Sequence, residues 1–272
     1  MIKSATFPDR EFATKEELFK ELKFNEKKLI DLKKATIQKS AEKGQLSTFE
    51  LLKNDESIKE YIDAKDNYIF AVINTTKYLD SHDDVHMNGI WNKSVNEQQG
   101  KIFYVADHSL KINDVVAWNS DVEIMVKSLP FSFLGKSYEG NTEALIFAID
   151  KNKIVHEGAK QIIENKRPVQ NSVRMEYVKI DLAIDDAQAE YAENKKTFDL
   201  YINEIANKDK AIEQGYFWAV TEAKISKEGS MVLFGSNDVT PIIENKTEAE
   251  EITSEIKEEP TQVTQKRKLS VI

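Results

Sequence analysis

The sequence predicts an α+β protein, mainly β, with a helical N-terminal arm and a charged C-terminal tail. Three observations carry this. Residues 1–65 are dense in Lys and Glu with helical apolar spacing. Residues 66–243 hold short β-rich runs separated by Gly, Asn and Asp. Residues 244–272 are almost free of large apolar side chains until the last few positions, which predicts a flexible tail.

In the arm, Thr14 and Glu17 have the spacing of a capping box, and Leu18 with Leu22, then Leu29 with Leu32, recur on one helical face. The runs YIFAVINTT, KIFYVAD, VEIMVKSL, ALIFAID, VRMEYVKIDLAI and EGSMVLFG predict strands. Two helical patterns interrupt them. One covers about 152–165 and includes His156, expected on the helix surface; the other covers about 190–213, with Phe198, Tyr201, Ile202 and Ile205 on one stripe.

A chain of 272 residues with 40% hydrophobic content can fill a sizeable core. It contains no apolar run of the roughly 18 residues needed to span a membrane and no signal-peptide-like opening, so a cytoplasmic protein is expected. The absence of cysteine excludes disulfides, thiolate nucleophiles and cysteine-ligated zinc. A net charge of −9 argues against nucleic acid as a general partner.

The stretch 169–185, VQNSVRMEYVKIDLAID, changes phase along its length. Val173, Met175 and Tyr177 are apolar at odd positions, whereas Val178, Ile180, Leu182 and Ile184 are apolar at even ones. Side chains alternate strictly along a strand, so the switch requires a bulge or bend. The first half leaves Ser172, Arg174 and Glu176 together on a polar face.

Of four histidines, His108 ends the run KIFYVADHSL, where a loop begins. If that strand end lies beside Ser172, His108 can take the serine proton as general base for acyl transfer. A strand-edge Ser and a half-buried His fit the same spacing.

Four blocks, in order, resemble the prohead maturation serine proteases of tailed phages: VINTTKYLDSHDDVHMNGIWNKSV, KIFYVADHSL, VQNSVRMEYVKIDLAI and YFWAVTEAKISKEGSMVLFGSNDVTPI. Together they cover about 70–243. The resemblance implies a fold related to the herpesvirus assemblins, a closed or nearly closed antiparallel β-barrel ringed by helices. It implies a serine endopeptidase, with no cofactor, that processes itself and cleaves capsid precursor and scaffolding proteins inside an assembling prohead in the host cytoplasm. A homodimer is compatible with it. The alternative is a non-enzymatic head-assembly or scaffolding protein that keeps the fold.

On this resemblance Ser172 is the nucleophile and His108 the base. Two positions depart from the pattern: Asn171 stands where many relatives have His, and Arg174 where they have Gly. Arg174 either supplies positive charge to the oxyanion or is an ordinary surface residue. No His follows Ser172, so a third member must be an acid. Glu228, just before the apolar run GSMVLFG, is preferred; Glu222, in the Thr-Glu pair, is the alternative, with an ion pair to a lysine such as Lys224 as its competing role. The segment LDSHDDVHMNG holds Asp80, His82, Asp83, Asp84 and His86 within seven residues. It lacks the Glu of a metalloprotease helix and reads as a solvated turn, so no metal is expected there.

Overall fold

The computed structural model describes residues 1–36, 50–51, 65 and 67–244. Part of the predicted arm and the predicted tail, from 245 onward, lie outside the described residues. The chain runs β1 (Ile2–Lys3), β2 (Glu11–Phe12), α1 (Lys15–Ala35), β3 (Glu50–Leu51), β4 (Tyr68–Thr75), β5 (Asp84–His86), α2 (Asn92–Gln98), β6 (Phe103–Ala106), β7 (Val115–Ala117) and β8 (Glu123–Pro130). It continues through β9 (Asn141–Asp150), α3 (Glu157–Glu164), β10 (Gln170–Ile184), α4 (Ala192–Tyr201), α5 (Lys208–Gln214), β11 (Tyr216–Val232) and β12 (Ile242–Glu244). Among the described residues, no helix is long and apolar enough to cross a membrane.

The strands do not close into a barrel, which corrects the expectation drawn from the family resemblance. They form a small ribbon, β1-β2, and two five-stranded sheets. One has the order β10-β11-β6-β7, with β5 also paired to β11; the other has the order β3-β12-β4-β9-β8. A barrel needs a ring in which every strand bonds two neighbours. Here β10 and β7 end one sheet and β3 and β8 end the other, so neither ladder returns to its start. The long strand β11 is the spine of the first sheet. Along one edge it pairs antiparallel with β10; along the other it pairs parallel with β5 at Trp218–Val220 and with β6 at Glu228–Met231.

The sheets share one core. Ile69, Ala71 and Ile73 of β4 and Leu145, Phe147 and Ile149 of β9 meet Tyr104, Val173, Met175 and Met231 of the first sheet. The Tyr104 and Phe147 rings pack edge to face, with centroids 6.3 Å apart. Gly229 of β11 sits in this layer because a Cβ there would lie 2.5 Å from the Phe147 ring. The second sheet is also covered on its other face, where Phe70, Val72, Ile146 and Ala148 pack with Phe131, Phe133 and Val239. That double burial explains why β4 and β9 read as nearly continuous apolar runs. A third cluster places Phe198, Ile202 and Ile205, with Ala211 of α5, over Phe217 and Ala219 of β11.

Helix α1 begins as its sequence predicts: Glu17 N–H donates to Thr14 Oγ1 at 3.3 Å. Glu17 Oε2 reaches back one residue further than in a standard capping box, to the N–H of Ala13 at 2.9 Å. Leu18, Phe19 and Leu22 are buried in the shared core, whereas Leu32 is exposed. The helical pattern at 190–213 divides into α4, a 3-10 turn and α5. His156 is not a helix-surface residue but the N-cap of α3, its Nδ1 accepting from Ala159 N–H at 3.0 Å.

Candidate active site

The phase change predicted in β10 is a pair of register shifts on either side of Lys179. Val173, Met175 and Tyr177 are buried before it; Ile180, Leu182 and Ile184 are buried after it. Val178, expected among the buried set, is instead exposed, because it falls on the irregular residue between Tyr177 and Lys179 and has no cross-strand partner in the register.

His108 is delivered by a tight turn at the end of β6. Asp107 and His108 both take left-handed conformations, with φ of 50° and 54°, and Ser109 N–H returns to Ala106 O at 2.9 Å. Two consecutive positive φ values closed by that bond are the pattern of a type I′ turn. Neither residue is Gly, so the turn is strained and must be held from outside. Asp107 N–H donates to Met231 O at 2.9 Å, and His108 N–H donates to the Ser230 hydroxyl at 2.8 Å.

The ring of His108 meets Glu228, with Nδ1 and Oε1 2.8 Å apart and both side chains buried. At this distance Nδ1 can donate to the carboxylate, an acceptor when ionised. The other oxygen, Oε2, is buried without a hydrogen bond.

Glu228 reaches this position through a bulge. Between the pairs Val173↔Gly229 and Met175↔Ile225, β11 has three residues, Ser226, Lys227 and Glu228, against Arg174 alone on β10. Lys227 takes φ 72° within that segment, and Glu228 rejoins the sheet opposite Phe103 of β6. Glu228 and Ser230 are two residues apart and share a face, while Gly229 between them faces Phe147. Ser172 is paired with Ser230, so it lies on that same face, away from the shared core. Three chain segments separated by more than fifty residues thus bring Ser172, His108 and Glu228 to one end of one sheet.

No protein-family model, curated protein or solved structure matches this chain.

The remaining predicted residues divide. Arg174 is half-buried at the bulge, and its Nε has no hydrogen-bond partner. Asn171 is buried on the opposite face from Ser172: its Oδ1 accepts from Tyr104 OH at 2.6 Å and its amide donates to the carbonyls of Thr240 and Pro241. Glu222 is remote from His108 along β11 and pairs with Lys179 at 2.7 Å and Lys93 at 3.4 Å, not with Lys224. The Lys179 hydrogen bond draws its carboxyl below the usual range. Ser230 was not anticipated; its only trace in the sequence is its position two residues after Glu228, on the same strand face.

The Asp-rich turn is not the solvated loop expected: Asp80, Asp83, Asp84 and His86 are all buried, and the last three are held by partners from other elements. Asp83 accepts from the N–H of Ala5 and from Tyr216 OH. His86 is enclosed between Asn74, at 2.9 Å, and Tyr177 OH, at 3.3 Å, and burial lowers its pKa to about 4. Asp80, His82 and Asp84 converge, with one ligand atom from each lying within 4.8 Å of the others.

Proposed function

We propose that this protein is a serine endopeptidase that cleaves scaffold and capsid precursor proteins during phage prohead maturation, and that it also processes itself. One observation carries the reading: the buried 2.8 Å contact between His108 Nδ1 and Glu228 Oε1, beside the strand position of Ser172. The sequence resemblance supplies the substrate class.

In this reading Ser172 Oγ attacks the scissile carbonyl while Nε2 of His108 takes its proton. Glu228 holds the ring in the tautomer that leaves Nε2 basic and stabilises the imidazolium as it forms. The proton then passes to the leaving amine, and a water molecule activated by the same Nε2 releases the acyl group. The guanidinium of Arg174, with an unpaired Nε two residues from the nucleophile, supplies positive charge for the oxyanion. Asn171 does not stand against this chemistry, because its side chain works on the other face of the strand.

The test uses the full chain. A fluorophosphonate probe should label it at Ser172, and the Ser172→Ala protein should leave the capsid precursor of the same phage uncut. Failure of the wild-type protein to label or cleave overturns the enzyme reading in favour of a non-enzymatic head-assembly protein.

A further inference from the structure

We propose that Asp80, His82 and Asp84 form a binding site for a divalent transition-metal ion, with Zn²⁺ the ion whose chemistry best fits the donors. This inference is independent of the reading proposed for Ser172 and His108.

The three residues are spaced i, i+2 and i+4 in a turn closed by Asp80 N–H on Asp84 O at 3.0 Å. The first three ligands of calcium-binding loops have the same spacing, which turns alternate side chains toward one point. Here the middle donor is an imidazole, which shifts the preference from calcium to a borderline ion such as Zn²⁺. The ligand atoms lie within 4.8 Å of one another, and side-chain shifts of up to on the order of 1 Å bring them to the spacing of about 3.4 Å that four-coordinate Zn²⁺ requires.

A second observation points to a ligand. Asp80 is 2% exposed. Its Oδ1 is fixed by the N–H groups of His82, at 2.8 Å, and Asp84, at 3.0 Å, whereas its Oδ2 is buried with no hydrogen-bond partner. A buried carboxylate oxygen without a partner is costly, and a cation removes that cost. The His82 ring is only half-buried and lines an open cavity of about 210 Å³ with Thr6, Leu29 and Lys33. The cavity gives an ion an entry path and room for the water that completes its coordination.

One group competes. The ammonium of Lys33, near the C-terminal end of α1, lies 2.6 Å from Asp84 Oδ1, while Asp84 Oδ2 accepts from Tyr177 OH at 2.7 Å. An incoming ion must displace or share Asp84 with that ammonium, so Lys33 sets the affinity of the site and links it to α1.

Calorimetric titration of the chelator-treated full chain with Zn²⁺ tests the proposal. The wild type should bind one equivalent that Asp80→Asn and His82→Ala each weaken at least about tenfold. Lys33→Met should tighten binding by removing the competing charge. His82 is half-exposed and Asp80→Asn is isosteric, so circular dichroism should report folded variants. No heat of binding in both wild type and Lys33→Met, or an unchanged Kd in Asp80→Asn and His82→Ala, overturns it.

Discussion

His108 and Glu228 are 120 residues apart in sequence, yet their side chains meet at 2.8 Å with only 6% and 0% of their surface exposed. Among the described residues the Glu228 carboxylate has no other hydrogen-bond partner, and its second oxygen is unpaired. Removing the imidazole therefore leaves a buried acid with nothing to bond. His108→Ala should lose about 3–5 kcal/mol of stability, whereas Ser172→Ala should stay within about 1 kcal/mol of the wild type. Urea denaturation of both proteins checks this, and His108→Ala/Glu228→Gln should recover part of the loss. Equal midpoints for His108→Ala and wild type would show that the pair does not depend on its partner.

The two candidate carboxylates should separate cleanly. Glu228→Gln should lower the rate of precursor cleavage by about 10²–10⁴, because an amide disturbs the tautomer and the imidazolium of His108. Glu222→Gln, whose partners are Lys179 and Lys93, should cleave at the wild-type rate. Initial rates at saturating precursor give the comparison, and impairment of Glu222→Gln alone would move the orienting role to that residue.

Gly229→Ala probes how the site rests on the shared core. The added methyl would meet the Phe147 ring at 2.5 Å and Ile73 at 3.0 Å, so β11 must shift or the ring must leave its place. A loss of about 1–3 kcal/mol is expected. Cleavage should fall as well, because Glu228 and Ser230 flank the displaced residue; a stable, fully active variant would contradict the packing described here.

Self-processing predicts a difference in mass. The segment from 245 onward has one Pro, alternating acidic and basic clusters and no core pattern, which suits it to cleavage. Intact-mass spectra of the wild type after long incubation should show a trimmed terminus that Ser172→Ala retains. Identical masses would remove the self-processing part of the proposal.

Much of the secondary structure could be read directly. The Thr14 cap, the apolar runs of β4 and β9 and the phase change in β10 are local patterns, each set by periodicity or by one hydrogen bond. The barrel was expected from the family resemblance, and alternation could not check it, because alternation reveals which face of a strand is buried but not which edge is bonded. Nothing in YFWAVTEAKIS shows that it continues into EGSMVLFG as one strand of 17 residues, with β5 and β6 end to end along one side. The place of Glu228 ahead of GSMVLFG suggested the sheet's end, and it is Glu228 that touches His108; its catalytic role rests on the proposal. Ser230 was invisible for a different reason, since a hydroxyl that accepts a backbone N–H 122 positions away leaves no local spacing to detect.

The length and lateness of β11 also set a schedule. It contributes Glu228, supplies the hydroxyl that steadies the His108 turn, and separates β10 from β6 in the sheet. During synthesis the histidine and serine emerge well before this strand, but until it inserts, neither has its neighbour and the two parent strands have nothing between them to pair with. A ribosome-bound chain that ends short of Val232 therefore carries all of the serine-and-histidine chemistry in unassembled form. On the proposed reading, the order of synthesis alone keeps the nascent chain from cleaving until its last long strand is made.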